Sequence, residues 1–182
     1  MRVISGKSRG KRLETLSGGL VRPTTDKVKE SIFNIIQFDL QDKSFLDLFS
    51  GSGQMGIEAI SRGAKEAIFV DKSKRSIEVV KRNLKSVGLC SQALVINSDY
   101  RSFLEKTNFN FDIAFLDPPY GTGILQKALD VVINVMNRDG IIICENEVNE
   151  NLPSLIKNFY CTKKYKYGKI AVSIYKGGSN LA

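Results

Sequence analysis

The sequence predicts a doubly wound α/β domain on a mostly parallel sheet, and three observations carry that prediction. Five short bursts of Val, Ile, Leu, Phe and Ala recur along the middle of the chain, at Phe45–Phe49, Ala67–Asp71, Ala93–Ile96, Phe111–Leu116 and Gly140–Cys144. Stretches of helical periodicity separate them, and apolar strands that alternate with helices belong to a parallel sheet covered on both faces. Special loops follow two of the bursts, glycine-rich at Gly51 and proline-rich at Pro118. Loops of that kind open at the carboxyl edge of such a sheet.

Taken in order, Arg2 to Leu13 sets short apolar ends around a glycine-rich basic run, which suits a hairpin or an arm. After Pro23, Thr24-Thr25-Asp26 supplies cap residues, and Val28, Ile32, Phe33, Ile35 and Ile36 recur at roughly helical spacing, predicting a helix over 25–37. The first burst ends at Gly51 and leads into a helix over 54–63. The second leads into a helix over 74–87, the third into a short helix over 100–106, and the fourth into one near 123–136. The tail turns at Gly168 between Phe159–Lys169 and Ile170–Lys176 without a helix, so an antiparallel pair closes one edge. The expected organisation is one domain, 1–182, with a basic N-terminal extension over 1–40 and a Rossmann-like core over 41–182.

Composition narrows the chemistry. With 182 residues, 42% hydrophobic and 25% charged, the chain can bury a sizeable core. It contains no histidine, which excludes Ser-His-Asp and Cys-His nucleophiles and every imidazole metal site, and no metal is expected. The three cysteines, Cys90, Cys144 and Cys161, show no Cys-x-x-Cys spacing and read as buried small hydrophobes in a reducing compartment. No apolar leader follows Met1 and no apolar run approaches a membrane span, so a cytoplasmic location is expected. The formal charge of +8 is unevenly placed. Residues 1–30 hold eight Lys/Arg against three acids and residues 157–182 six Lys against none, while 31–156 carry a net −3. Basic ends around an acidic middle suit a polyanionic partner.

Two loops carry candidate chemistry. In Asp47-Leu48-Phe49-Ser50-Gly51-Ser52-Gly53-Gln54-Met55-Gly56 the glycines permit a tight turn and close approach of backbone to a nucleotide-like ligand at a helix N-terminus. Asp71 stands twenty residues past Gly51, where a carboxylate grips ribose hydroxyls. That pattern also fits NAD. Asp47, however, would repel a pyrophosphate and suits a ligand bearing a cationic ammonium, which favours S-adenosylmethionine. Asp99 is positioned either to accept from an adenine amino group or to cap the helix that follows.

The second loop is Asp117-Pro118-Pro119-Tyr120-Gly121. Prolines fix φ and restrict the residue before them, so the Asp117 carboxylate and the Pro118 carbonyl are presented rigidly as acceptors. An exocyclic amine on a base is a poor nucleophile until acceptors grip its hydrogens. Tyr120 would stack on the base, an interaction worth about 1–3 kcal/mol in single-strand recognition. Gly6-Lys7-Ser8 lacks the upstream glycine of a phosphate loop, and Tyr160 with Lys164 imitates a dehydrogenase pair that would need a helix.

The glycine loop, Asp71, Asp99 and Asp117-Pro118-Pro119-Tyr120, in that order, resemble the class I S-adenosylmethionine-dependent amino-methyltransferases. Gly10-Lys11-Arg12-Leu13 and Arg22-Pro23-Thr24-Thr25-Asp26-Lys27-Val28-Lys29-Glu30-Ser31-Ile32-Phe33-Asn34 are similar to the N-terminal motif of the bacterial 16S ribosomal RNA (guanine-N2) methyltransferases, the RsmD family. The resemblance implies transfer of a methyl group to the N2 amine of a guanine in small-subunit ribosomal RNA, free or in an assembly particle, and a monomer is expected. It implies that Asp47, Ser50, Gly51, Gly53, Asp71 and Asp99 line the cofactor site with Arg22 and Thr24 beside it, and that Asp117, Pro118, Pro119 and Tyr120 are catalytic. Tyr120 departs from the Phe more usual there, and stacking survives the change. DNA adenine or protein glutamine methyltransferases share the Pro-Pro-aromatic loop, and an NAD-dependent oxidoreductase shares the glycines. A nucleic-acid-binding module with a lapsed site would not keep the acceptors at Asp117 and Pro118.

Overall fold

The computed structural model describes residues 1–16 and 25–178. Its regular elements are α1 (Asp26–Ile35), β1 (Ser44–Leu48), α2 (Gln54–Ser61), β2 (Glu66–Asp71), α3 (Lys74–Val87), β3 (Ala93–Asn97), α4 (Tyr100–Lys106), β4 (Phe111–Leu116), α5 (Ile124–Val132), β5 (Met136–Glu147), β6 (Leu155–Ile156), β7 (Phe159–Tyr167) and β8 (Ile170–Gly177). Together the strands form one eight-stranded sheet in the order β3-β2-β1-β4-β5-β8-β7-β6. Strands β1 to β5 pair in parallel. Strand β8 runs antiparallel to β5, and β7 and β6 continue antiparallel beyond it. The doubly wound expectation and the antiparallel C-terminal pair are both observed.

Alternation along each strand splits the core into two layers. Phe45, Phe69, Ile113, Phe115 and Ile143 face α1, α2 and α3, where Val28, Phe33, Ile57, Ile60 and Leu84 cover them. Leu46, Leu48, Ala114, Leu116 and Ile142 face α4 and α5, against Phe103, Leu125 and Leu129. Each large apolar side chain sealed this way contributes about 1.5–3 kcal/mol, which is why the five bursts dominate the pattern. Local signals set the ends: Thr25 caps α1, Ser73 caps α3, and Gly88 closes α3 in the left-handed region at φ 75. Gly168 turns β7 into β8 at φ 63.

The structure differs from expectation at several places. Strand β5 starts at Met136 rather than Gly140, because Asn137-Arg138-Asp139 bridges a register shift opposite Phe111–Ile113 although its side chains are exposed. Helix α5 correspondingly ends at Val132 in a 3₁₀ turn over Ile133–Val135. Strand β6, two residues long, is too short to leave a periodic trace. Cys144 is buried as expected, but Cys161 is half-buried and Cys90 is exposed. Tyr160 and Lys164 lie on a strand, β7, so the helical spacing they imitate does not exist.

The N-terminal segment forms a small hairpin, with an antiparallel bridge between Arg2 and Arg12. One acid carries several of its bonds to the core. Glu58 on α2 accepts from the Ile4 and Ser5 N–H groups at 2.8 and 3.0 Å and from Arg62 Nε at 2.7 Å. Lys29 on α1 lies 3.7 Å from it and donates to the Arg2 carbonyl at 2.6 Å. Both side chains are 0% exposed. Lys11 Nζ donates to the Val87 carbonyl at the end of α3, and Lys7 Nζ to Gln92. Much of the N-terminal positive charge therefore fastens the hairpin instead of standing free for phosphates. Burial lowers the Lys29 ammonium pKa, with Glu58 and then Asp26 opposing that shift.

Glu58→Ala removes four contacts at once and leaves the Lys29 ammonium buried without its partner. Such a loss costs about 3–5 kcal/mol, which for a chain of this length lowers the melting temperature by on the order of 10 °C. Replacing the pair together, Lys29→Met with Glu58→Leu, removes the stranded ammonium but leaves the Ile4 and Ser5 N–H groups without their acceptor, so it recovers only part of that loss. Thermal unfolding of the two variants checks this, and equal melting points would contradict it.

Candidate active site

Parallel pairing of β1 to β5 brings their carboxyl ends to one edge, and all the described candidate residues lie along it. Asp47 to Gly53 follow or end β1, Asp71 ends β2, Asp99 stands two residues past β3, and Asp117 to Tyr120 follow β4. The strand order reverses direction between β1 and β4. There the two adjacent loops part, leaving the crevice in which open α/β sheets take ligands. The glycine loop lies on one side of this crevice and Asp117–Tyr120 on the other. Arg22 and Thr24 fall outside the described residues.

The glycine loop is held by the acids named for it. Asp47 is 2% exposed, and its Oδ2 accepts from the Gly56 N–H at 2.9 Å inside the first turn of α2. Asp71 accepts from the Gly51 N–H at 2.9 Å and the Ser73 N–H at 2.8 Å, tying the ends of β1 and β2 together. Burial pushes the Asp47 carboxyl up to about 7, with the neighbouring Asp71 charge adding to the rise and the Gly56 hydrogen bond opposing it. Gly53 adopts φ 78, and a Cβ on Gly56 would stand 2.3 Å from the Phe69 ring, so packing of α2 on β2 excludes any side chain there. Among the described residues, a Cβ on Gly51 would find its nearest neighbour, Leu16 Cδ1, 3.9 Å away. Phe49 sits at φ 71, an unusual conformation for a bulky residue, and its ring lies tilted against that of Tyr100, 5.3 Å away.

One buried polar atom of this loop has no hydrogen-bond partner among the described residues: the Ser50 hydroxyl. An orphan of that kind, in a loop held by the Asp47 and Asp71 carboxylates, fits a polar ligand. The loop can therefore hold a cofactor whose amino-acid end meets Asp47, Ser50, Gly51 and Gly53 and whose ribose meets Asp71. Asp99 does act as the cap, its Oδ1 accepting from the Arg101 and Ser102 N–H groups at 3.0 and 3.4 Å. Its other oxygen takes no part in those bonds.

Sequence reasoning missed Asn83 and Glu145. Asn83, on α3, donates to the Ser52 carbonyl at 2.9 Å and exchanges hydrogen bonds with the backbone of Glu14, linking the glycine loop to the hairpin's outgoing strand. Glu145, on β5, accepts from the Tyr120 O–H at 2.8 Å and is 1% exposed. It lines one cleft with Pro118, Pro119, Tyr120, Gly121, Thr122 and Glu150 among others. No motif announces Glu145; only the strand register brings it beside the proline loop. Burial raises the Asp117 carboxyl well above the ordinary carboxylate range, and the Glu145 and then the Asp47 charges raise it further. Tyr120 remains 36% exposed while its hydroxyl is anchored.

Positive charge returns at the same edge. The register pairs Glu147 with Ile170, which places the β7–β8 turn with Lys166 and Lys169 at the carboxyl end of β5. No helix among the described residues is long and apolar enough to cross a membrane, and no cluster of His, Cys, Asp and Glu among them could hold a metal ion.

A family model described as "Conserved hypothetical protein 95" matches residues 1–176. The chain is 42% identical over 181 residues to the "Putative rRNA methyltransferase YlbH" of Bacillus subtilis, covering 97% of this chain and 98% of that one. It is 31% identical over 178 residues to the "Ribosomal RNA small subunit methyltransferase D" of Escherichia coli, covering 97% and 89%. Among solved structures it superposes on "Putative methyltransferase yhhF from Escherichia coli" with a TM-score of 0.88 and 29% identity, covering 99% of each chain. The same fold recurs at 13% identity and a TM-score of 0.67 in an RNA methyltransferase from Salinibacter ruber in complex with S-adenosyl-L-homocysteine, covering 88% of this chain and 97% of that one.

Proposed function

The chain belongs to the conserved hypothetical protein 95 family of S-adenosylmethionine-dependent ribosomal RNA methyltransferases, and on that premise we propose that it methylates the N2 amine of a guanine in small-subunit ribosomal RNA, free or in an assembly particle. The observation that carries this reading is the meeting of two loops across the β1/β4 crevice, one built for a nucleoside with an amino-acid tail and the other a rigid set of acceptors. S-adenosylmethionine, when bound, supplies a methyl group activated by a sulfonium sulfur.

The residues of this chain divide the remaining work. Asp47 and the Ser50 to Gly53 backbone hold the amino-acid tail, Asp71 the ribose hydroxyls and Asp99 the adenine amino group, with Arg22 and Thr24 beside them. Asp117 and the Pro118 carbonyl accept the two N2 hydrogens, which directs the amine's electron pair out of conjugation with the ring and towards the methyl carbon. Pro119 stiffens that presentation, and Tyr120 stacks on the base. Holding the reactants in line supplies much of the acceleration. The target base must leave its stack, which a single-stranded loop permits at little cost. Lys166 and Lys169 stand where flanking phosphates would pass, so binding weakens as salt rises. The protein acts as a monomer in the cytoplasm on this reading.

The test uses small subunits from a strain lacking the gene, incubated with labelled S-adenosylmethionine and the purified protein. Nucleoside digestion shows N2-methylguanosine if the reading holds. Label appearing only as N6-methyladenosine, or in protein, would replace it with one of the rival amino-methyltransferases.

A further inference from the structure

We propose that Glu145 is the third acceptor on the target base, receiving the ring N1–H of guanine beside the two N2 hydrogens, and so sets the choice of guanine over adenine. The inference rests on the guanine-N2 reading and adds to it the residue that recognises the base.

The register puts Glu145 in place. Strands β4 and β5 are parallel with Leu116 opposite Cys144, so the next residues along, Asp117 and Glu145, stand side by side on neighbouring strands about 4.8 Å apart. Both follow Phe115 and Ile143 by two residues, and those side chains face the α1–α3 layer. Alternation therefore turns Asp117 and Glu145 to that same face, the one on which Asp47 also lies. Glu145 lines the cleft with Pro118 and Tyr120, and the Tyr120 hydroxyl fixes its Oε1 at 2.8 Å, holding the carboxylate against the proline loop.

A carboxylate in the middle of a sheet, 1% exposed and flanked by the apolar Ile141-Ile142-Ile143-Cys144 run and by Val172, needs donors, and the Tyr120 O–H supplies one to Oε1. The Watson–Crick edge of guanine offers three donors in a row, N1–H and the two N2 hydrogens, whereas adenine offers a bare N1 lone pair beside its amine. Asp117, the Pro118 carbonyl and Glu145 supply three acceptors. A carboxylate on N1–H also pushes electron density through C2 towards N2, the atom that must form the new N–C bond as the S–C bond breaks; the proton then shed by N2 passes to Asp117. Facing adenine, Glu145 would oppose a lone pair.

The experiment compares wild type and Glu145→Gln on reconstituted small subunits in which the modified nucleotide is guanine or 2,6-diaminopurine. Diaminopurine keeps the 2-amine but has no N1 hydrogen. Wild type methylates guanine at least 50-fold faster than diaminopurine. In Glu145→Gln the carboxamide can rotate its NH₂ towards a bare N1, and the guanine-to-diaminopurine ratio falls at least 10-fold while S-adenosylmethionine affinity stays within about 3-fold. If the variant turns over too slowly to measure, competition by inosine-containing and adenosine-containing particles gives the same comparison, the preference for inosine being lost. An unchanged ratio in either assay overturns the proposal, because a purely structural role would lower both substrates alike. Failure of wild type to make N2-methylguanosine from the guanine particle would instead overturn the functional reading, and the two failures are separately visible.

Discussion

Asp117→Ala loses methyl transfer by about 10²–10⁴-fold, the usual range for removing one positioned acid or base, while S-adenosylmethionine binds within about 3-fold of wild type. The split follows from geometry. Asp117 lies across the crevice from the glycine loop, at the end of β4, and no hydrogen bond of that loop involves it. Asp117→Asn keeps one oxygen as a hydrogen-bond acceptor but cannot take the shed proton, so its activity falls between those of wild type and Asp117→Ala. The pH profiles separate the two roles of the carboxylate. Only the ionised form accepts both from the amine and from its shed proton, and burial with the Glu145 charge raises that group well above the ordinary carboxylate range. Wild-type activity therefore rises with pH through a limb displaced upward from where carboxylates titrate. Glu145→Gln removes a charge that raises Asp117 and moves the limb to lower pH; Asp117→Asn flattens it. Single-turnover rates against pH check both, and incorporation by Asp117→Ala equal to wild type would remove Asp117 from the chemistry.

What the sequence disclosed and what it hid divide along a physical line. The five apolar bursts reveal the sheet because strands buried on both faces need a run of large apolar residues, and Asp47, Asp71, Asp99 and Asp117 mark its carboxyl edge because each stands within two residues of a strand's end. Glu145 is hidden for the opposite reason: it sits inside the longest strand, among residues that read only as core, and nothing but the β4–β5 register aligns it with Asp117. Asn83 is hidden likewise on α3, its partners Ser52 and Glu14 being 31 and 69 residues away. The basic N-terminus misleads by composition. A count of charges cannot separate Lys29, sealed against Glu58, from Lys166 and Lys169 at the open end of the sheet. Asp99 shows both of its sequence readings to be compatible, since one oxygen suffices to cap α4.

Asp47→Asn trades binding for stability, and the sign of each effect follows from one group. The folded protein holds the Asp47 proton up to about pH 7 because burial disfavours the charge, whereas the unfolded chain releases it near the ordinary carboxylate value of about 3.9. Between those values the folded state binds one more proton than the unfolded, so stability falls as pH rises, by about 1.4 kcal/mol for each pH unit. The fall totals up to about 4 kcal/mol and is complete above pH 7. An asparagine never ionises, and its side-chain oxygen can still accept from the Gly56 N–H. The unliganded variant is accordingly more stable than wild type at pH 8, and the two converge near pH 4. Affinity moves the other way. An ammonium set beside Asp47 favours its ionised form, so wild type binds S-adenosylmethionine with release of a proton below pH 7, and the variant, without that charge, binds at least 100-fold more weakly and releases none. Titration calorimetry in two buffers of different ionisation heat measures the proton, and thermal unfolding at pH 4 and pH 8 measures the stability. A variant no more stable at pH 8 than at pH 4, relative to wild type, would show that Asp47 is ionised in the unliganded protein and that the loop is not held ready by a buried, protonated acid.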